Sequence, residues 1–237
     1  MEHEDTMNNI LCIETGTEVC SVSLSQNSTI LGTLESSEPQ AHARLLAVFI
    51  DRLLRKNSIS PKDLNAIAVS EGPGSYTGLR IGVSTAKGIC FGANLPLIAV
   101  GSLDALVQGA LAVADLENNP TFCPMIDARR MEVYTATFSS SGEKLTPVEA
   151  VIVNEESFAS LLDKGIVYFF GNGAAKCAEV IKHPNAKFLE IAPSAANMLP
   201  IAAKKLENGT FVDVAYFEPF YLKDFVVTKS KKNLLGL

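Results

Sequence analysis

The sequence is poor in the residues that build metal centres and hydrolytic sites. Its 237 residues include three histidines and no tryptophan, and neither HxxxH nor HExxH occurs. No Gly-x-Ser-x-Gly nucleophile motif is present either. The five cysteines form no Cys-x-x-Cys pair and lie scattered in apolar runs, which indicates reduced core residues in an intracellular protein. We therefore assign no catalytic residue and no metal ligand from the sequence.

Long hydrophobic runs are also missing. No apolar stretch reaches the roughly 18 to 20 residues that a membrane-spanning helix needs. The first residues, Met1 to Thr6, are acidic where a secretory leader would be basic, and Met7 directly before the first apolar run is an alternative start. These features predict a cytoplasmic chain with no membrane attachment.

Positive charge is limited. The net charge of -6 disfavours a large nucleic-acid footprint, which needs clustered Lys and Arg. The one basic cluster is Lys229 to Lys232 in the C-terminal tail. It is interpreted either as a solvated chain end or as a contact for RNA or an acidic partner.

The first half of the chain predicts three hairpin strands followed by alternating helices and strands. That order is typical of a mixed sheet with helices on its faces and matches the ribonuclease H-like unit. The predicted strands are Asn8 to Glu14, Val19 to Ser25, Ile30 to Ser36, Ala66 to Ser70 and Leu97 to Val100, and the helices are Ala41 to Asn57, Thr77 to Ala93 and a third capped by Ser102.

The second half reads as a smaller, degraded copy of the first. The polar turn Glu117 to Pro120 is the best boundary signal, which predicts domains at 7–112 and 113–237. The predicted strands are Thr121 to Ile126, Glu132 to Ser139, Val148 to Val153 and Val167 to Phe170, with Pro219 to Leu222 extended, and the helices are Glu155 to Leu162, Ala174 to Ile181 and Ser194 to Asn208. We expect the last helix, 194–208, to complete the first domain.

A glycine-rich turn, Gly72-Pro-Gly74, joins the fourth strand to the second helix. It lacks the lysine of a Walker P-loop, since Leu79 follows Gly78. Three interpretations stay open: a tight turn that permits close helix packing, a bound phosphate at the helix N-terminus, and a protein interface.

The helices before and after this turn are more apolar than one sheet requires. The apolar residues of the first helix spread over roughly 240°, and the second helix carries only Arg80 and Lys87 as charges. The excess apolar surface predicts a second contact, with the other domain or another chain.

Ile13-Glu-Thr-Gly-Thr17 resembles the first phosphate turn of actin, the heat-shock ATPases and the sugar kinases. The resemblance implies a site for ATP or ADP at Glu14, Thr15, Gly16 and Thr17, and no cofactor is required. The small second half leaves little wall for a nucleotide cleft.

Three motifs together resemble the bacterial TsaB family, also called YeaZ, over nearly the whole chain. They are Ile10-Leu-Cys-Ile-Glu-Thr-Gly-Thr17, Glu71-Gly-Pro-Gly-Ser-Tyr-Thr-Gly-Leu-Arg-Ile-Gly82 and Ile126-Asp-Ala-Arg-Arg130. Glu14 departs from the Asp that is usual in the family. The resemblance implies two ribonuclease H-like (actin-like ATPase) domains, the second smaller and degraded.

The same resemblance implies a noncatalytic subunit that supports TsaD in transferring threonylcarbamoyl to N6 of adenosine 37 of tRNA. Implied partners are TsaD as a heterodimer and TsaE, with a homodimer when alone and tRNA only through the complex. Ser102 and Leu106 stand where TsaD carries its metal-binding histidines. The residues expected at the partner interface are His42, Leu46, Phe49, Ile50, Leu53, Tyr76, Leu79, Arg80, Val83, Ser84 and Lys87.

We expect charged substitutions at Phe49 or Val83 to separate the partners without unfolding the chain. The alternative function is an enzyme, either a nucleotide hydrolase or a glycoprotease-like peptidase. Against it stands the lack of any complete set of base, nucleophile and metal ligands in the sequence.

Overall fold

The computed structural model describes residues 7–112, 116 and 119–222. The acidic start Met1 to Thr6, the basic cluster Lys229 to Lys232 and part of the boundary turn lie outside the described residues. The first sheet has the order β3-β2-β1-β4-β5, with β1 antiparallel to β2 and parallel to β4. Its strands are Asn9–Glu14 (β1), Cys20–Gln26 (β2), Thr29–Ser36 (β3), Ala66–Gly72 (β4) and Leu97–Gly101 (β5), and its helices are Ala41–Lys56 (α1), Tyr76–Ala93 (α2) and Ser102–Leu111 (α3).

The second sheet repeats this topology. Its order is β10-β9-β6-β7-β8, in which β6, β7 and β8 form an antiparallel meander and β9 and β10 add in parallel. Its strands are Thr121–Asp127 (β6), Glu132–Thr135 (β7), Glu149–Ile152 (β8), Val167–Phe170 (β9) and Ala186–Leu189 (β10), with the helices Ala159–Leu162 (α4) and Ala174–Cys177 (α5). The last helix, Leu199–Glu207 (α6), packs on the first sheet. The prediction of two related α/β units, the second degraded, is confirmed.

The second unit is smaller than the first mainly because its helices are shorter. Where the first unit has helices of 16 and 18 residues, the second has α4 and α5 of four residues each. After Cys177 the chain turns, and the N–H groups of Val180 and Ile181 both donate to the Cys177 carbonyl. Helices this short add little stability of their own. The predicted helices at 155–162 and 174–181 were therefore too long.

Three other local predictions need correction. Ser102 does not cap α3: Gly101 is the N-cap, and Ser102 is the first helical residue with a buried hydroxyl. The predicted helix 194–208 begins as a 3-10 turn at Ala195–Met198, before Pro200 enters the first turn of α6. Strand β10 was missed because it has only four residues and all of them are half-buried, which gives a weak pattern in the sequence.

The end of the described chain returns to the first sheet. Ala195, Met198, Leu199 and Ala202 pack in one core with residues of β1, β4 and β5. Beyond α6, residues Phe211–Leu222 form a segment that we name the C-terminal strap. Val212 of the strap bridges to Leu97 of β5, and Phe220 N–H donates to the Glu71 carbonyl at 2.7 Å.

Among the described residues, every helix is too short or too polar to cross a bilayer.

Candidate functional site

The turn after β1, which resembles a phosphate-binding turn, is buried. Glu14, Thr15 and Thr17 are at most 4% exposed, and Gly16 is buried with them. The Glu14 side chain bonds within its own turn, since its Oε1 accepts the Gly16 N–H at 2.5 Å. The Thr15 N–H donates to Ser70 Oγ at 3.3 Å, which ties the turn to β4.

The glycine-rich loop and the start of α2 cover this turn. The Ser75 N–H donates to the Gly16 carbonyl at 2.6 Å. A Cβ atom on Gly74 would overlap the Gly16 carbonyl oxygen, and one on Gly78 would overlap that of Thr15. The backbones therefore touch where a phosphate would have to enter. Of the three interpretations of this loop, the structure supports the tight turn that permits close packing.

The Glu14 carboxyl group accepts hydrogen bonds from Gly16 and Ser70, and no charged side chain of the described residues pairs with it. Burial raises its pKa from an ordinary value of 4.5 to about 7, against the opposing effect of hydrogen bonds from Gly16, Ser70 and Thr15. Within the described part of the chain, the buried hydroxyls of Thr15 and Ser102 have no hydrogen-bond partner. The direct contact between the turn and the loop does not fit a nucleotide phosphate beside Glu14.

Six of the eleven residues expected at the partner interface face the core of this chain. They are no more than 8% exposed and pack with residues of β1, β2 and β4, or lie fully enclosed beside the turn: Leu46, Phe49, Ile50, Leu53, Leu79 and Val83. A charged side chain at Phe49 or Val83 would lie in that core, so substitution there would unfold the chain as well as test an interface. That design of the test was wrong.

The other five residues reach the surface, but three of them contact the C-terminal strap. The guanidinium of Arg80 lies 4.6 Å from the Tyr76 ring centroid and donates through Nε to Tyr221 Oη at 3.3 Å. Tyr76 and Tyr221 pack with ring centroids 4.9 Å apart. Lys87 Nζ donates to the carbonyls of Ala215 at 3.0 Å and Phe217 at 3.1 Å.

His42 is half-buried, with Nε2 3.2 Å from the Val19 carbonyl oxygen, and Ser84 is exposed. The participation of all eleven residues in a partner contact stays a prediction.

An exposed stripe runs along α2 beside the strap. At about 100° per residue, Arg80, Ser84, Gly88 and Phe91 share one face, and all four are exposed. Phe91 is 86% exposed, and a Cβ on Gly88 would meet nothing within 4 Å. We name this face the α2 stripe. On α1, Val48 is a large apolar side chain that is 47% exposed.

Sequence reasoning missed Phe91, Val48 and the strap. One signal was available for the strap, because five of its twelve residues are aromatic. Such a density in a chain end indicates a segment that packs on something. Nothing local indicated that its contact would be α2, more than 100 residues earlier.

The family model described as "TsaD: tRNA N6-adenosine threonylcarbamoyltransferase" matches residues 29–231. The tRNA threonylcarbamoyladenosine biosynthesis protein TsaB of Escherichia coli K12 is 33% identical over 230 residues, covering 93% of this chain and 96% of that protein. TsaB of Haemophilus influenzae is 29% identical over 93% of this chain and 95% of its own length.

A solved structure agrees with the sequence comparison. YeaZ from Pseudomonas aeruginosa superposes with a TM-score of 0.77 at 28% identity, covering 91% of this chain and all of that one.

Proposed function

Since this chain belongs to the TsaB family of tRNA threonylcarbamoyladenosine biosynthesis proteins, we propose that it is the subunit that binds and supports TsaD. The reaction it supports is transfer of threonylcarbamoyl to N6 of adenosine 37 of tRNA. The observation that carries the proposal is the α2 stripe, an exposed helix face ending in Phe91 on the better-formed unit. Large exposed aromatic side chains commonly anchor protein interfaces.

The subunit is noncatalytic in this proposal. In the described ranges, no three His, Cys, Asp or Glu side chains are grouped as a metal site. All five cysteines are buried, and burial raises the pKa of the Cys12, Cys90 and Cys123 thiols to about 12, so they are poor nucleophiles. His42 is engaged with a backbone carbonyl, and Glu14 is enclosed.

The Glu14–Thr17 turn takes no ATP or ADP in this proposal. Support comes from the direct contact of Gly74 and Gly78 with the carbonyls of that turn, which leaves no path for a phosphate. The test is titration of the chain with a fluorescent ATP analogue. Binding that is lost in Glu14→Ala would contradict the proposal.

TsaD occupies the α2 stripe and the adjoining face of α1, and a second copy of this chain takes that place when TsaD is absent. TsaE and tRNA join through the complex, in the cytoplasm. Reconstitution with TsaD and TsaE tests the role: we expect tRNA modification only when this chain is added. ATP or peptide turnover by the purified chain alone would favour the enzyme alternative.

Phe91→Glu tests the surface. We expect it to lower TsaD affinity by at least ~30-fold, since truncating an aromatic anchor costs about 2 kcal/mol or more. Affinity is measured by titration and the fold by thermal unfolding.

The matched control is Ile152→Glu, which places the same charge on a 73% exposed apolar residue of β8. It should bind TsaD as well as the wild type does. Equal binding by Phe91→Glu and the wild type would remove the α2 stripe from the interface.

A further inference from the structure

A cavity of about 280 Å³ lies outside the carboxyl ends of β4 and β5. This position is where open α/β sheets commonly bind ligands. It is separate from the Glu14–Thr17 turn and from the α2 stripe. Its walls come from the first sheet, the second unit and the C-terminal strap.

The walls combine apolar surface with a few charged groups. Pro73 and Val148 are apolar, and Phe220 of the strap also lines the cavity. Glu71, Asp104 and Lys144 supply the charges, and Lys144 Nζ pairs with Asp104 Oδ2 at 2.9 Å. The charges that line the cavity therefore sum to one negative charge, and Glu71 is the acid there that has no ion pair among the described residues.

Glu71 is half-buried, and its carboxylate makes no hydrogen bond and no ion pair with the described residues. Burial raises the pKa of Glu71, and Asp104 adds to this, while Lys205 and Lys144 act in the opposite direction. Lys205 does not line the cavity, and its Nζ donates to the Ala99 carbonyl at 2.7 Å, so its charge acts on Glu71 without forming an ion pair with it. A carboxylate that is desolvated but unpaired stabilises a cation that can reach it.

We propose that this cavity binds a guanidinium group, which pairs with the Glu71 carboxylate and packs against the Phe220 ring. A guanidinium suits the site because it is planar, donates two parallel hydrogen bonds to a carboxylate and stacks on aromatic rings. A cavity of this size lies just below the usual range for whole ligands, which fits one side chain or a small molecule. The group comes either from an arginine of a bound protein or from a free guanidinium compound.

Agmatine is the probe for the chain alone. We expect it to shift the backbone amide signals of Gly101, Asp104 and Val148 in nuclear magnetic resonance spectra. Glu71→Gln should weaken this binding by at least about 10-fold, the effect of removing a hydrogen bond to a charged group. Glu179→Gln, which removes the same charge at an exposed site outside the cavity, should leave it unchanged.

N-butylurea, a neutral planar analogue, should not shift these signals. Shifts of equal size with N-butylurea, or undiminished agmatine binding by Glu71→Gln, would overturn the proposal. The absence of any agmatine shift at these three amides would also overturn it.

A second experiment distinguishes the two sources and rests on the proposed function. If an arginine of TsaD fills the cavity, agmatine will compete with TsaD, and Glu71→Gln will weaken the complex. If the ligand is a free compound, Glu71→Gln will weaken agmatine binding but leave TsaD binding unchanged. Agmatine binding is measured without TsaD, so failure of the cavity and failure of the partner role give different results.

Discussion

Glu14 is an acidic side chain enclosed inside the protein, where its charged form is poorly solvated. It is an acid that is 1% exposed, and its hydrogen bonds come from Gly16, Ser70 and the Thr15 backbone. Burial removes the carboxyl group from water and so penalises its charged form, which outweighs the hydrogen bonds that favour the carboxylate. The enclosed turn therefore favours the protonated form of Glu14.

The stability of the protein should depend on pH through this group. Because the pKa of Glu14 rises from 4.5 to about 7 on folding, the folded chain binds more protons than the unfolded chain between these values. The stabilisation is complete below about pH 4.5 and is lost as the pH rises through about 7.

Glu14→Gln should remove this dependence, because the amide stays neutral and keeps an acceptor for the Gly16 N–H. At about pH 8.5 we expect the variant to be more stable than the wild type by on the order of 2 kcal/mol, with little difference near pH 5. Urea unfolding at both pH values measures it. The exposed change Glu179→Gln is the control, and a variant no more stable at the higher pH would show that Glu14 is accommodated as a carboxylate.

At the scale of elements, the glycines of α2 determine how closely the helix packs against the rest of the protein. Gly78 lets the helix start rest on the Thr15 carbonyl, whereas Gly88 faces open space. Ser75 accepts the Gly78 N–H at 3.2 Å and so caps the helix at its closest approach to β1. The tight turn is therefore a packing device that fixes the position of α2 and its exposed stripe.

Two alanine substitutions should have opposite effects. Gly78→Ala forces the helix away from the turn and should cost about 2 kcal/mol or more, as overpacking does. Gly88→Ala should be neutral or stabilising by up to ~1 kcal/mol, because alanine lowers the backbone entropy of the unfolded chain and fits this exposed helical site. Chemical denaturation compares them, and equal stability of the two variants would mean that α2 does not need its close contact with Thr15.

At the scale of the whole molecule, the chain folds two copies of one topology and then returns to the first. The 3-10 turn and α6 cover one face of the first sheet, and the strap runs along α2 on the other side. The strap joins both candidate surfaces, since Tyr221 contacts Arg80 and Phe220 lines the Glu71 cavity. A partner on α2 would meet this segment too.

Lys87→Met should loosen the strap, because Lys87 Nζ donates to two strap carbonyls. We expect hydrogen exchange at the Phe217 and Phe220 amides to speed up by about 5- to 10-fold, the effect of roughly 1 kcal/mol of lost local stability. The unfolding midpoint should change little. Lys204→Met, at an exposed lysine of α6, is the control, and unchanged exchange in Lys87→Met would show that the Lys87 hydrogen bonds do not hold the strap.

The sequence by itself determined the fold class, the strands of the first unit and the family. Local patterns predict strands, a glycine turn before a helix and the apolar face of a helix, because each depends on residues only a few positions apart. The sequence predicted the interface residues only in part. Periodicity marked α1 and α2 as apolar on most sides but could not divide core-facing Leu46 and Val83 from exposed Val48 and Phe91.

Only the tertiary structure decided what happens at the phosphate-like turn, the strap and the cavity. Each depends on contacts between residues far apart in the chain, such as Lys87 with Phe217 and Glu71 with Phe220. Glu14 reads as a phosphate-site acid in sequence and becomes an enclosed acid because α2 closes over it. Burial by distant segments sets the charge, the access and the partner of a side chain, and no local pattern encodes it.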